Sequence, residues 1–408
     1  MRSAPLQWLF SLERLGMKFG LENMTKLSAQ LGDPHLRFPS VLVAGTNGKG
    51  SVTAMVETGL RAAGWRSARY TSPHLDRIEE RFVIDGTECD TAALEAAVDR
   101  VRDAVDVLMT RGTLASPATF FECATAAAFE LFASAQVEIA VLEVGLGGRL
   151  DATNIVRPLV SAITTIDFDH QAQLGSSLEE IAREKAGIIK EGVPVVIGRL
   201  PPAAESVVRE AARDAHAPLI RAHETAAIPP GAHLALPGRH QYDNALVAIA
   251  VMDALGTCGF NVAGPAVTQA LESVRWPGRL ERLRHGDAEI LLDAAHNPAG
   301  ARALASYLRE TEWTDATLVF AAMNDKDAPG MLRELAPVTA RIICTTAHTP
   351  RAEPAAVLAR IARAIPGTSR IDAIEDPTVA VEQACAESRR VVVAGSIFLI
   401  GPLRGILR

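Results

Sequence analysis

The sequence predicts an α/β protein in two domains, a larger N-terminal one built on a mostly parallel sheet and a smaller C-terminal α/β one. Three observations carry that prediction. Short apolar runs alternate with helical patterns over most of the 408 residues, the signature of a parallel sheet wrapped by helices. A glycine-rich turn, GTNGKGS at 45–51, joins one such run to a helical pattern. A Pro-Gly break at Trp276-Pro277-Gly278 then separates the first series of elements from a second.

In chain order, Val41–Ala44, Ile139–Val144, Val160–Ile166 and Val193–Ile197 read as buried strands. Val52–Ala63, Thr91–Thr110, Ala118–Ala133 and Leu178–Lys190 read as helices. Ser177 followed by Glu180 predicts a capping box for the last of them. Pro201-Pro202 and Pro229 to Gly231 read as loops inside the first domain. The second series has strands at Glu289–Asp293, Thr317–Ala321, Arg341–Thr345 and Val391–Ala394, with a helix at Ala299–Glu310. The expected division is 1–274 and 275–408.

Composition narrows the function classes. Hydrophobic content of 48% and charged content of 22% suit a globular enzyme. A net charge of −7 argues against a general nucleic-acid or anionic-membrane surface. Cys89, Cys123, Cys258, Cys344 and Cys385 are odd in number and scattered, which fits a reducing compartment. Glu13 and Arg14 interrupt the apolar patch at the N-terminus, and the run Val391–Leu403 is too short to span a bilayer. The expectation is a cytoplasmic protein. No heptad or long apolar stretch announces a partner, so a monomer is the default.

The glycine turn carries the clearest chemistry. Backbone N–H groups of Thr46, Asn47, Gly48 and Gly50 can converge on an anion at a helix start. Lys49 adds a charge and Ser51 a hydroxyl suited to Mg²⁺. Val43 stands where the usual P-loop has another glycine, so this is a variant loop. Glu143 ends a strand, where ligands bind in open α/β sheets, and either holds Mg²⁺ or faces water. His170 in DFDH is a metal ligand or a satisfied loop histidine, and Lys185 reads by itself as a solvated helix lysine. Asn244 either reads a purine edge or caps a helix, and Arg279 either reaches a triphosphate or is a surface charge. Asp293, His296 and Asn297 close another strand, and Ser396 lies near the C-terminus.

Taken together, these stretches resemble the folylpolyglutamate synthase/dihydrofolate synthase family, bifunctional bacterial type, of the Mur ligase superfamily. The resemblance runs nearly end to end: GTNGKGS, SPHL at 72–75, TFFE at 119–122, LEVGLGGRLDATN at 142–154, DFDH at 167–170, EKAGIIK at 184–190, GRHQ at 238–241, PGRLE at 277–281, DAAHNP at 293–298, DKD at 325–327 and GS at 395–396. The chain departs from it at Gln171-Ala172-Gln173, where members commonly carry a Thr or Met and an acid.

The resemblance implies an N-terminal P-loop ATPase-like domain and a C-terminal Rossmann-like glutamate-ligase domain. It implies ATP-dependent addition of L-glutamate to dihydropteroate and to tetrahydrofolate through an acyl phosphate. Thr46 to Ser51, Asn244, Arg279 and Asp293 would contact ATP, with Lys49, Lys185 and His296 catalytic. Ser51 and Glu143 would hold one Mg²⁺, and Glu143, His170 and a carbamylated Lys185 a second. Ser72, His74, Phe120, Phe121 and Asp151 would line the acceptor site, and His296 and Ser396 the glutamate site. The alternatives are a polyglutamate synthase alone, a sister ligase for cell-wall precursors, a plain P-loop kinase, and a non-catalytic nucleotide-binding module.

Overall fold

The computed structural model describes residues 3–16, 18–114, 116–366 and 370–408. By packing, the chain divides into two units. The first holds Met1–Ile166, Ser177–Ala235 and Asp243–Val274; the second holds Asp167–Ser176, Leu236–Tyr242 and Arg275–Arg408. The last change of unit along the chain falls between Val274 and Arg275. The second unit is not one contiguous segment, however, because the short segments 167–176 and 236–242 pack with it. Local pattern cannot show such membership.

The first unit is built on an eight-stranded sheet. Its strands are β1 (Ser40–Ala44), β2 (Ser67–Tyr70), β3 (Phe82–Ile84), β4 (Thr87–Glu88), β5 (Ile139–Glu143), β6 (Val160–Ile163), β7 (Val195–Ile197) and β8 (Leu219–Arg221). Their spatial order is β4-β3-β2-β5-β1-β6-β7-β8. Pairing is parallel except along β2, β3 and β4. β1, β5 and β6 are buried at every position, as the apolar runs require. β1 lies between β5 and β6, with Val43 opposite Glu143 and Ala44 opposite Ile163. The turn leaving β1 is therefore flanked by the carboxyl ends of both neighbours, a crevice position for ligands.

The helix Lys49–Ala62 opens at the glycine turn and Thr91–Thr110 matches its predicted span. The helix Leu178–Ala186 begins with the predicted capping box: Glu180 N donates to Ser177 Oγ, and Ser177 N to Glu180 Oε2, each at 3.2 Å. It ends earlier than its apolar pattern suggested, with Gly187 at its C-cap. Pro202 corrects one loop assignment. It is the first residue of the helix Pro202–Asp214, a position where the missing N–H costs nothing.

The second unit has a six-stranded sheet of β9 (Glu281–His285), β10 (Ala288–Asp293), β11 (Thr317–Phe320), β12 (Arg341–Cys344), β13 (Ile371–Ala373) and β14 (Arg390–Ala394). Its order is β13-β12-β11-β14-β10-β9, parallel except for β9 against β10. Leu318, Phe320, Ile342 and Val392 pack with Leu304, Leu308, Met331 and Leu332 from the covering helices. Among the described residues no helix is long and apolar enough to cross a membrane, and all five cysteines are free.

Candidate active site

The glycine turn is shaped by contacts that leave no room for side chains. Gly45 has φ +150°, and a Cβ there would stand 1.9 Å from Thr164 Oγ1. Gly48 has φ +87°, and its Cβ would stand 2.3 Å from Asn244 Oδ1. The loop is tied to the end of β6: Thr46 N donates to Thr165 O at 2.8 Å, Asn47 N to Thr165 Oγ1 at 3.0 Å, and Thr164 Oγ1 to Asn47 O at 2.6 Å.

Two lysines converge on this loop. Lys49 Nζ donates to the carbonyls of Gly45 at 3.1 Å and Thr46 at 3.3 Å. Lys185 is buried, and its Nζ donates to Gly45 O at 2.9 Å. The solvated reading of Lys185 is thereby set aside. Asn244 lies inside the helix Arg239–Gly256, against Gly48, so it does not cap that helix.

Glu143 is buried at the end of β5 and accepts from Ser72 N at 3.1 Å, so it is not a water-facing strand end. A hydroxyl from Ser51 and a carboxylate from Glu143 are the hard oxygen donors Mg²⁺ takes, which it supplements with water and phosphate oxygens. Among the described residues no group of three or more His, Cys, Asp or Glu is assembled as a metal site. Lys185 as an ammonium donates and cannot ligate.

The predicted acceptor segments lie in the same unit. His74 Nδ1 accepts from Arg81 Nε at 2.8 Å. The Phe120 ring lies 5.6 Å from Phe10 and beneath the Arg81 guanidinium at 5.1 Å. Phe121 packs 6.2 Å from Tyr70 and fills the space a Gly145 side chain would need. Asp151 serves the loop itself, accepting from Leu146 N at 2.9 Å, Thr153 N at 3.0 Å and Thr153 Oγ1 at 2.6 Å. Burial pushes its carboxyl up, against the pull of those bonds.

In the second unit Asp293 accepts from Leu280 N and Ala295 N, each at 2.9 Å, and so fixes the turn that carries Arg279. Ser396 Oγ caps the helix Ile397–Leu407 by accepting from Phe398 N. His170 belongs to this unit, while Glu143 and Lys185 belong to the first. It joins a cluster around Asp169 of the same DFDH segment, whose partners are distant in sequence. Lys326 Nζ donates to Asp169 Oδ1 at 2.5 Å and lies 3.2 Å from His170 Nε2. Asn297 Nδ2 donates to Asp169 Oδ2 at 3.0 Å, and His296 Nε2 lies 3.4 Å from that oxygen. Burial works to raise the Asp169 carboxyl, but the His296 bond and the charges of His296, Lys326 and His170 hold it well below the usual carboxylate range.

Residues 43–224 match the Mur ligase middle domain and residues 278–397 the Mur ligase glutamate ligase domain. The chain is 32% identical to the dihydrofolate synthase/folylpolyglutamate synthase of Bacillus subtilis, over 98% of both chains. It belongs to the folylpolyglutamate synthase/dihydrofolate synthase family of Mur ligases. The probable bifunctional folylpolyglutamate synthase/dihydropteroate synthase of Haloferax volcanii is 33% identical over 98% of this chain and 50% of its own. The chain thus spans about half the length of that relative. Among solved structures, a Mycobacterium tuberculosis folylpolyglutamate synthase complexed with ADP superposes with a TM-score of 0.90 at 33% identity, over 99% of both chains. A bifunctional folylpolyglutamate synthase/dihydrofolate synthase with Mn, AMPPNP and L-glutamate bound gives 0.87 at 31% identity, over 99% of this chain and 98% of the other. The variant glycine loop and the buried strand-end Glu143 are thus seated in a Mur-type fold.

Proposed function

We propose that this chain is an ATP-dependent ligase that joins L-glutamate to dihydropteroate and to tetrahydrofolate. The observation that carries the reading is the convergence of Lys49 and Lys185 on the carbonyl of Gly45, in a glycine turn at the start of the helix Lys49–Ala62. A carboxylate does not condense with an amine in water, because the leaving group would be hydroxide. In the proposed reaction an acceptor carboxylate oxygen attacks the γ-phosphorus of ATP, and ADP leaves. The α-amine of glutamate then attacks the acyl carbon, and phosphate departs with the oxygen that attacked.

The chain's own residues do most of this by placement. Thr46 to Ser51 would cradle the phosphates and Lys49 would offset charge on the transferring oxygens. Asn244, Arg279 and Asp293 would contact the nucleotide. Ser72, His74, Phe120, Phe121 and Asp151 would line the acceptor site, and His296 and Ser396 would hold glutamate. Mg²⁺ held by Ser51 and Glu143 would neutralise the phosphoryl oxygens. A second ion would need Glu143, His170 and a carbamylated Lys185, since carbamylation turns that donor into an oxygen ligand.

The test is ADP release with Mg²⁺, ATP and L-glutamate, comparing the two acceptors and weighing the products. One added glutamate on both acceptors supports the bifunctional enzyme. Addition to tetrahydrofolate alone makes it a polyglutamate synthase, and none on either overturns the reading.

A further inference from the structure

Arg81 closes the turn Ile78–Arg81 between β2 and β3 and is only 7% exposed. A guanidinium keeps its charge in proteins and offers five N–H donors. Buried charges are ordinarily paired, because an uncompensated one is costly. Buried Arg341 and mostly buried Arg69 follow that rule: Arg69 pairs with Glu57 at 2.9 Å, and Arg341 with Asp372 at 2.6 Å and Glu387 at 2.7 Å. Arg81 does not. Among the described residues no carboxylate lies within the 4.0 Å of an ion pair. Its neighbours are the His74 ring nitrogen, the face of Phe120 and the Tyr70 hydroxyl. Burial lowers its basicity, and Glu13 and Glu143 offset this only at longer range.

Its position says which anion is missing. His74 and Phe120 belong to the two segments assigned above to the acceptor, and Phe10 extends their ring wall, 6.1 Å from His74. The segment that holds His74 also reaches the proposed metal site, because Ser72 N donates to Glu143 Oε2 at 3.1 Å. Arg81 thus lies against an aromatic wall and bonds a segment whose Ser72 touches the carboxylate of the proposed metal site. An acceptor with a flat ring at one end and a carboxylate at the other matches that sequence of surfaces. We propose that Arg81 binds the carboxylate of the acceptor that is to be phosphorylated. The negative charge persists in the acyl phosphate and departs with phosphate when the neutral amide forms, so the bond favours acceptor and intermediate over the newly made amide.

This rests on the acceptor reading, and the test separates the two. Binding of dihydropteroate and of its carboxamide is measured by calorimetry without ATP or divalent cation, so that no metal contributes. The wild type is expected to prefer the acid by roughly ten- to a hundredfold, as for a charge-assisted bond. Arg81→Gln is expected to erase that preference while ATP affinity stays unchanged. Should Arg81→Gln fail to fold, Arg81→Lys keeps the charge without the forked donor edge and is expected to narrow the preference. A wild type that binds both forms equally, or a preference that survives in the variants, overturns the inference and leaves the acceptor reading standing. A wild type that binds neither overturns both.

Discussion

Gly48 and Lys185 show how tightly single residues constrain the phosphate loop. At φ +87°, and with Asn244 Oδ1 only 2.3 Å from where a Cβ would stand, Gly48 has neither the backbone freedom nor the space for a methyl group. Gly48→Ala is predicted to cost about 1–2 kcal/mol of stability and to weaken ATP binding by more than roughly tenfold, measured by thermal melts with and without nucleotide. Lys185→Ala removes a buried donor from Gly45 O. It is predicted to stay folded with a loss of about 1–3 kcal/mol and to lose turnover by roughly a hundredfold or more. Short carboxylates added in solution are expected to restore part of that turnover if a carbamylated lysine is the missing ligand. Wild-type rates in the variant would remove Lys185 from the site.

At the scale of elements, what was legible was what local chemistry decides. β1, β5 and β6 announced themselves because both faces are buried and the runs are apolar. β2 and β9 did not, because SARY and ERLRH carry charge and lack a continuous apolar run. The glycine loop, Glu143 and Asn244 could be named from sequence, whereas the partners of Asp169 could not. Lys326 lies 157 residues from it and figured only inside DKD. Arg81 was passed over for the same reason: nothing local marks a buried, unpaired charge. The capping box at Ser177 is local, and Ser177→Ala is predicted to cost about 1 kcal/mol, read by denaturant titration. Glu281 joins β9 to the C-terminal helix through Arg404 at 2.8 Å and accepts from Gly278 N at 2.8 Å. Burial works to raise its carboxyl, but the Arg404 bond and charge prevail and hold it below the usual value. The contribution is therefore complete above the unfolded pKa of about 4.3 and is lost as pH falls through the lower folded value. Glu281→Gln is predicted to be less stable by about 1–2 kcal/mol at pH 7, a difference that shrinks below about pH 4.

At the scale of the whole molecule, the phosphate loop belongs to the first unit and the Asp169–His296–Lys326 cluster to the second. Nucleotide binding should then stabilise the fold by mass action, about 2.7 kcal/mol at a hundredfold excess over the dissociation constant. Lys49→Ala is predicted to lose most of that gain while its ligand-free melt stays near wild type. Polyglutamylation, dihydrofolate synthesis and any Mur-type amide formation share one chemical commitment, that the acceptor's own oxygen receives the phosphoryl group. The most direct measurement uses dihydropteroate labelled with ¹⁸O in its carboxylate, turned over with ATP, Mg²⁺ and L-glutamate, followed by mass analysis of the released phosphate. The account predicts one labelled oxygen in each phosphate and the other retained in the new amide. Unlabelled phosphate formed alongside a glutamylated product would contradict it.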